Sequence, residues 1–206
     1  ECVRGLKSVI INSNRENTNV ILGKKCRTVW GSDTIKDTLC GLTFHISPLS
    51  FYQVNRVQTE KLYAIAKEYA GLTGEEILLD LYCGTGTIGL SMAHQAKKLI
   101  GVEVIEAAVD NAQVNGIENA EFICGDAANA AEMLEQQGLR PNVIVIDPPR
   151  KGCDQSLIKT ISRMAPDRVV YVSCDPATLA RDLKWFTEEG YMPQEVTPVD
   201  MFPRTA

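Results

Sequence analysis

No stretch of this 206-residue sequence stays apolar for the roughly 18 residues that a membrane-spanning helix needs. Its opening, ECVRGLKSVI, lacks the basic start and apolar centre of a secretory signal. The chain is therefore expected neither to cross nor to anchor in a membrane. The seven cysteines, at 2, 26, 40, 83, 124, 153 and 174, are odd in number and contain no CxxC pair. That excludes a disulfide framework and a zinc ribbon as readings, and it points to reduced thiols in the cytoplasm with no metal centre. Internal repeats and low-complexity tracts are absent. So is an initiating methionine, since the chain begins at Glu1, and an excised or processed chain is expected.

With 45% hydrophobic and 23% charged residues the composition suits one or two globular domains with a sizeable core. The net charge is -5 but uneven: residues 1–60 carry eight Lys or Arg against five Asp or Glu, and the remainder 13 against 21. A mildly basic head on an acidic body argues against a simple polycation. It leaves the head as the place where a polyanion would touch.

Residues 1–47 read as β-structure. KSVIIN and TNVILG flank the turn-rich SNREN, and DTLCG followed by LTFHIS forms a second hairpin with Gly41 at its turn. After Pro48 the period changes: Val57, Leu62, Ile65, Ala66 and Tyr69 predict a helix ending at Gly71. From Glu76 five apolar strands, EILLDLY, KKLIGVE, AEFICGD, NVIVIDPP and RVVYVSC, alternate with helices near 87–95, 106–115, 128–137, 154–164 and 176–189. The expected fold is α/β: a Rossmann-like, doubly wound, mostly parallel sheet over 48–206, preceded by a small β-rich subdomain over 1–47.

In such sheets ligands sit beyond the carboxyl ends of the strands. The first strand ends at Asp80 and runs into LYCGTGTIG, where Gly84 and Gly86 would let backbone approach a ligand. This turn alone is compatible with NAD, FAD or S-adenosylmethionine. Glu103 ends the second strand, 19 residues after Gly84, the separation at which a carboxylate meets ribose hydroxyls. Asp126 ends the third, where it could meet an adenine amino group or cap the next helix. The fourth strand ends in Asp147-Pro148-Pro149-Arg150. Two prolines fix an extended, acid-headed lip that hydride transfer does not need, but that suits a methyltransferase holding a planar ring. The fifth delivers Cys174 to the same edge, at a helix N-terminus and near Arg150, Lys151 and Arg181, surroundings that favour a nucleophilic thiolate. A thiol beside a methyl donor is what methylation at carbon 5 of a pyrimidine requires, because thiolate addition at carbon 6 makes carbon 5 nucleophilic.

SPLSFYQVN (47–55), DLYCGTGTIGL (80–90), GVE (101–103), IDPPRKG (146–152), YVSCDPATLARDL (171–183) and VDMFPRTA (199–206) together resemble the S-adenosylmethionine-dependent RNA 5-methyluridine methyltransferases. The resemblance implies that Gln53, Tyr82, Glu103 and Asp147 contact the cofactor, that Cys174 is the nucleophile, and that the substrate is RNA, ribosomal in preference to transfer RNA. In that family a His-x-Glu supplying the proton-abstracting base, then a last strand inserted in the sheet, follow a string like DMFPRTA. This sequence stops at Ala206, so a catalytic portion with one unpaired strand edge is expected. Three rival readings remain: a dinucleotide-dependent oxidoreductase, which leaves the lip and Cys174 idle; methylation of cytosine or of an amino group; and a non-catalytic RNA-binding module.

Overall fold

The computed structural model describes residues 5–15, 22–23, 25–103 and 107–205. Two antiparallel pairs come first: β1 (Ser8–Ser13) with β2 (Lys25–Gly31), and β3 (Ile35–Leu39) with β4 (Leu42–Ile46). The second hairpin turns at Cys40-Gly41, as expected. The first differs from expectation. The partner of β1 is Lys25–Gly31, and of TNVILG only residues 22–23 are described, outside any strand. Asn12 explains the offset: its side-chain amide accepts from Gly23 N at 2.7 Å and donates to Gly23 O at 2.6 Å, holding residue 23 outside the ladder.

Helix α1 (Arg56–Ala70) is capped by Asn55, whose Oδ1 accepts from Gln58 N, and stops at Gly71, which takes the left-handed conformation at φ 52°. Its buried residues are Thr59, Tyr63, Ala66 and Ala70; of the expected row Ala66 is buried, Leu62 and Tyr69 pack partly buried against the same core, and Val57 is 62% exposed.

The alternation then runs β5 (Ile77–Leu81), α2 (Thr87–Met92) with a 3-10 turn at Ala93–Gln95, β6 (Lys98–Glu103), α3 (Ala107–Val114), β7 (Ala120–Cys124), α4 (Ala127–Gln136), β8 (Val143–Ile146), α5 (Gln155–Met164), β9 (Arg168–Tyr171) and α6 (Pro176–Glu188). The strands form one parallel sheet in the order β7-β6-β5-β8-β9. Order reverses between β5 and β8, which opens a crevice at their carboxyl ends. Strand residues alternate between two cores. Leu78, Leu99, Val143, Val145 and Val170 pack with α1, α2 and the β3–β4 hairpin; Leu79, Leu81, Ile100, Val102, Ile144 and Ile146 pack with α4, α5 and α6. Burial on both faces is why VIVI of β8 is wholly apolar.

The β3–β4 hairpin docks through α3. Asn115 exchanges hydrogen bonds with Thr43 N and O at 2.8 and 2.7 Å, and Asn111 accepts from His45 N at 2.7 Å while donating to Thr85 O at 3.0 Å. Asparagines one helical turn apart thus meet alternate residues of β4. Among the described residues β9 pairs only with β8, leaving its outer edge open, as expected. The segment after α6 has no regular structure and follows α1, through Thr197 to Tyr69 at 2.5 Å and Asn55 Nδ2 to Met201 O at 2.8 Å.

Candidate active site

β5 runs one residue past the expected end: Asp80, a buried acid, is followed by Leu81, still paired in the sheet, and then by a tight turn. Asp80 is 1% exposed; its Oδ2 accepts from Gly89 N at 2.8 Å, while its Oδ1 has no partner. Burial pushes this carboxyl up to about 8, against the Gly89 hydrogen bond and with the charges of Asp147 and Glu103 adding to it. Tyr82 then adopts φ 63°, unusual for a residue with a side chain, and Gly84 and Gly86 follow at 57° and 83°. The two glycines differ. A Cβ on Gly84 would meet nothing within 4 Å, whereas one on Gly86 would stand 2.8 Å from Leu90 Cδ1. Gly84 leaves room beside the turn; Gly86 allows close packing of the helix.

Glu103 reaches back from β6 to this turn, its Oε2 accepting from Gly84 N at 3.0 Å. Beside it lies a cavity of ≈ 90 Å³ lined by Cys83, Glu103, Ala108, Val109, Phe122, Ile123 and Cys124. The carboxylate at its edge can accept hydrogen bonds from hydroxyl groups, and Phe122 and Ile123 give the slot an apolar wall. Asp126 caps α4, its Oδ1 accepting from Ala128 N and Asn129 N, both at 3.1 Å. The alternative noted for this residue from sequence is therefore present. Gln53 is half-buried in the irregular segment before α1.

Across the crevice, burial pushes Asp147 at the end of β8 up to about 7. The lip then turns sharply, Gly152 N donating to Pro149 O at 2.8 Å, which places Arg150 and Lys151 at an exposed tip. On β9 the last ladder bond, Val172 N to Ile146 O at 2.8 Å, leaves residues 173–175 free of the sheet. Cys174 is an exposed, unbridged thiol there, directly before Asp175, which caps α6 by accepting from Ala177 N and Thr178 N at 2.9 Å. These bonds, with the charge of Arg150 adding, hold the Asp175 carboxyl below its usual range. Cys83 and Cys153 are buried, and burial pushes the Cys153 thiol up to about 12. Of the cations expected near Cys174, Arg181 is committed to Asp182 at 2.7 Å and Lys151 lies 3.7 Å from Asp154. Arg150 is the one whose charge acts on Asp175, the residue after Cys174.

Sequence reasoning missed Asp182, Tyr171 and Asn111, which join separate elements at this edge. Nothing in the sequence pointed to Asn111.

This architecture is that of the S-adenosylmethionine-dependent methyltransferases. At 18% identity an Agrobacterium tumefaciens enzyme of that description superposes with a TM-score of 0.59 over 80% of this chain and 61% of its own, which shows the shared fold. The profile of the tRNA (uracil-5-)-methyltransferase family matches residues 22–206, and the chain belongs to that family. Relatives described as uncharacterized RNA methyltransferases are 52% identical in Clostridium acetobutylicum, over 98% of this chain and 45% of the relative, and 52% identical in Halalkalibacterium halodurans, over 97% and 44%. The chain thus spans under half the length of these relatives. The Pyrococcus abyssi tRNA (uracil-54, C5)-methyltransferase, solved with S-adenosyl-L-homocysteine, is 31% identical with a TM-score of 0.78, over 97% of this chain and 48% of that one.

Proposed function

We propose that this chain binds S-adenosylmethionine and methylates carbon 5 of a uridine in RNA through a transient bond from Cys174 Sγ to carbon 6. The observation that carries the reading is the pairing of an exposed thiol at the end of β9 with the acid-headed lip on neighbouring β8, both at the crevice where strand order reverses. An oxidoreductase or an amino-group methyltransferase has no use for that thiol.

Glu103 accepts the ribose hydroxyls, the slot lined by Phe122 and Ile123 takes the adenine with Asp126 at its rim, and Gly84, Gly86 and Tyr82 shape the turn beneath the sugar. Asp147 and Gln53 close the methionine side, and the unpartnered oxygens of Asp80 and Thr85 add hydrogen-bonding capacity at the glycine turn. When bound, the cofactor supplies an electrophilic methyl on a sulfonium.

The target base leaves its stack to reach this edge. Cys174 thiolate adds to carbon 6 and the ring electrons move through carbon 5 toward the carbon 4 carbonyl. Carbon 5 takes the methyl. A base removes the carbon 5 proton, and the carbon 6–sulfur bond breaks to restore Cys174. Asp175 is a poor base because its capping bonds favour its anion. The family resemblance supports a glutamate beyond residue 206 for this step. Ribosomal RNA is our expected substrate, while the Pyrococcus relative acts on transfer RNA. Mapping 5-methyluridine by mass spectrometry in both RNAs, from cells with and without the intact protein, tests the reading; an unchanged map in both overturns it.

A further inference from the structure

Cys174 lies beyond the last backbone bond of β9, and Asp147, one residue past β8, keeps a bond to β5 (N to Leu81 O, 3.4 Å) but none to β9. After Val172 N to Ile146 O no backbone ladder bond joins β8 to β9, so something else must fix the lip relative to the nucleophile. The only charged side chain among the described residues that touches both segments and is wholly buried is Asp182, on the second turn of α6. Its Oδ2 accepts from Tyr171 OH at 2.6 Å and from Cys153 N at 2.7 Å. Its Oδ1 accepts from Arg181 Nε at 2.9 Å and from an Arg181 Nη at 2.7 Å. The same Nη donates to Lys151 O at 2.7 Å, and the guanidinium lies 4.7 Å over the Trp185 ring.

Tyr171 is the last residue of β9, three before Cys174, and Lys151 to Cys153 lead out of the tip of the lip turn. One carboxylate therefore closes the loop 171–182 that carries the nucleophile and ties it to the lip that begins at Asp147. Gly152 fits this role. At φ 74° it brings the lip so near that a Cβ would stand 2.4 Å from Asp182 Oδ2 and 2.6 Å from Arg181.

An apolar residue would pack α6 against the sheet at least as well, because a buried ion pair gains little over hydrophobic packing. A carboxylate with four donors adds direction, since each bond fixes one group at one place. Burial, and then the Asp182 hydrogen bond, raise the Tyr171 hydroxyl above its ordinary range, keeping it a donor.

We infer that Asp182 is a positioning residue for methyl transfer: with Tyr171, Arg181 and Gly152 it holds the Asp147 lip and the Cys174 loop in one fixed geometry. The inference rests on the proposed function and deepens it. Small misplacements of reacting groups are costly, about 100-fold for 1 Å, so the effect should appear in turnover rather than in cofactor binding.

The test uses the intact protein with Asp182→Asn, Tyr171→Phe, Gly152→Ala and the Tyr171→Phe/Gly152→Ala double variant. Each carboxylate oxygen of Asp182 faces two donors, so an amide in its place must turn its NH2 toward donors whichever way it flips. Tyr171→Phe removes one donor only and carries the test if Asp182→Asn does not fold. Measured quantities are kcat and KM for RNA methylation, S-adenosylmethionine affinity by calorimetry, and the iodoacetamide alkylation rate of the peptide containing Cys174. For Tyr171→Phe the expected result is a fall in kcat of about tenfold or more, cofactor affinity within about twofold and a changed alkylation rate. The double variant should lose less than the product of the single losses, as groups acting through one carboxylate do. Unchanged kcat and alkylation would overturn the inference. So would a parallel fall of kcat, cofactor affinity and melting temperature, which is mere destabilisation. If the wild-type protein transfers no methyl group the functional reading fails, and an alkylation rate equal in all variants then overturns the brace on its own.

Discussion

Glu103 Oε2 accepts a hydrogen bond from Gly84 N at 3.0 Å, so the end of β6 and the glycine turn after β5 are locked together across 19 residues. The bond sets the carboxylate in place before any ligand arrives, which lowers the ordering cost of binding.

Replacing Glu103 by Ala should weaken S-adenosylmethionine binding by about 1.5–3 kcal/mol, because a charged acceptor of ribose hydroxyls is lost and Gly84 N is left without its partner. Calorimetry measures this directly. An unchanged affinity would remove Glu103 from the site.

The two glycines of the turn should separate. Gly86→Ala drives a Cβ toward Leu90 and Ala108 and should cost ~1–3 kcal/mol of stability. Gly84→Ala meets no atom, so its stability cost should be the smaller strain of φ 57°, about 1 kcal/mol, while cofactor affinity falls more than for Gly86→Ala. Thermal melts and calorimetry on both variants check the contrast.

Binding should depend on pH in a defined direction. Asp147 titrates near 7 in the free protein, and a neighbouring sulfonium favours its charged form, so binding below that pH must release a proton. Affinity for S-adenosylmethionine should therefore rise about tenfold from pH 6 to pH 8, with a weaker dependence for the uncharged thioether S-adenosylhomocysteine. Stability of the free protein runs the other way. Asp80 and Asp147 have folded values raised above the ordinary 3.8, so their contribution is complete below about pH 4 and lost as pH rises through about 7 and 8. Denaturant melts at pH 5 and 9 should show the loss, and Asp80→Asn should reduce it.

A chain of residues 1–206 alone should start the reaction and stall. Incubated with substrate RNA and cofactor, it should give a protein–RNA adduct that survives a denaturing gel, is absent in Cys174→Ser, and releases almost no free 5-methyluridine. Efficient turnover by this chain would place the base within it.

The strands were legible in the sequence because a parallel sheet buried on both faces demands apolar runs, and a polar residue marks where the runs give way: Glu103 ends β6 and Asp147 follows β8, while β5 reaches Leu81, one past Asp80, and β9 stops at Tyr171, short of Cys174. The glycine turn and the Pro-Pro lip were legible because glycine and proline restrict the backbone locally. In the first hairpin most of TNVILG lies outside the described residues; β1 pairs with Lys25–Gly31, and Asn12 holds Gly23 by a side-chain contact that no alternation pattern encodes. The helical spacing of α1 put Ala66, Leu62 and Tyr69 against the core but did not show that Thr59 and Tyr63 are buried, because they find partners inside, Thr59 with Asn55 O and Tyr63 with Thr87.

By itself the sequence determined the alternation of strands and helices, the chemistry available at the carboxyl edge, and the family. Only the tertiary structure decided which groups meet. It brought Glu103 to Gly84, turned Arg181 from the nucleophile to Asp182, made Asp126 a cap, and gave Gly84 and Gly86 different tasks. Hydrophobic period and turn chemistry act over a few residues and can be read along the chain. Burial, hydrogen-bond saturation and the shifts of Asp80 and Asp147 depend on what other elements bring within about 3–4 Å, and that is fixed only when the sheet is assembled.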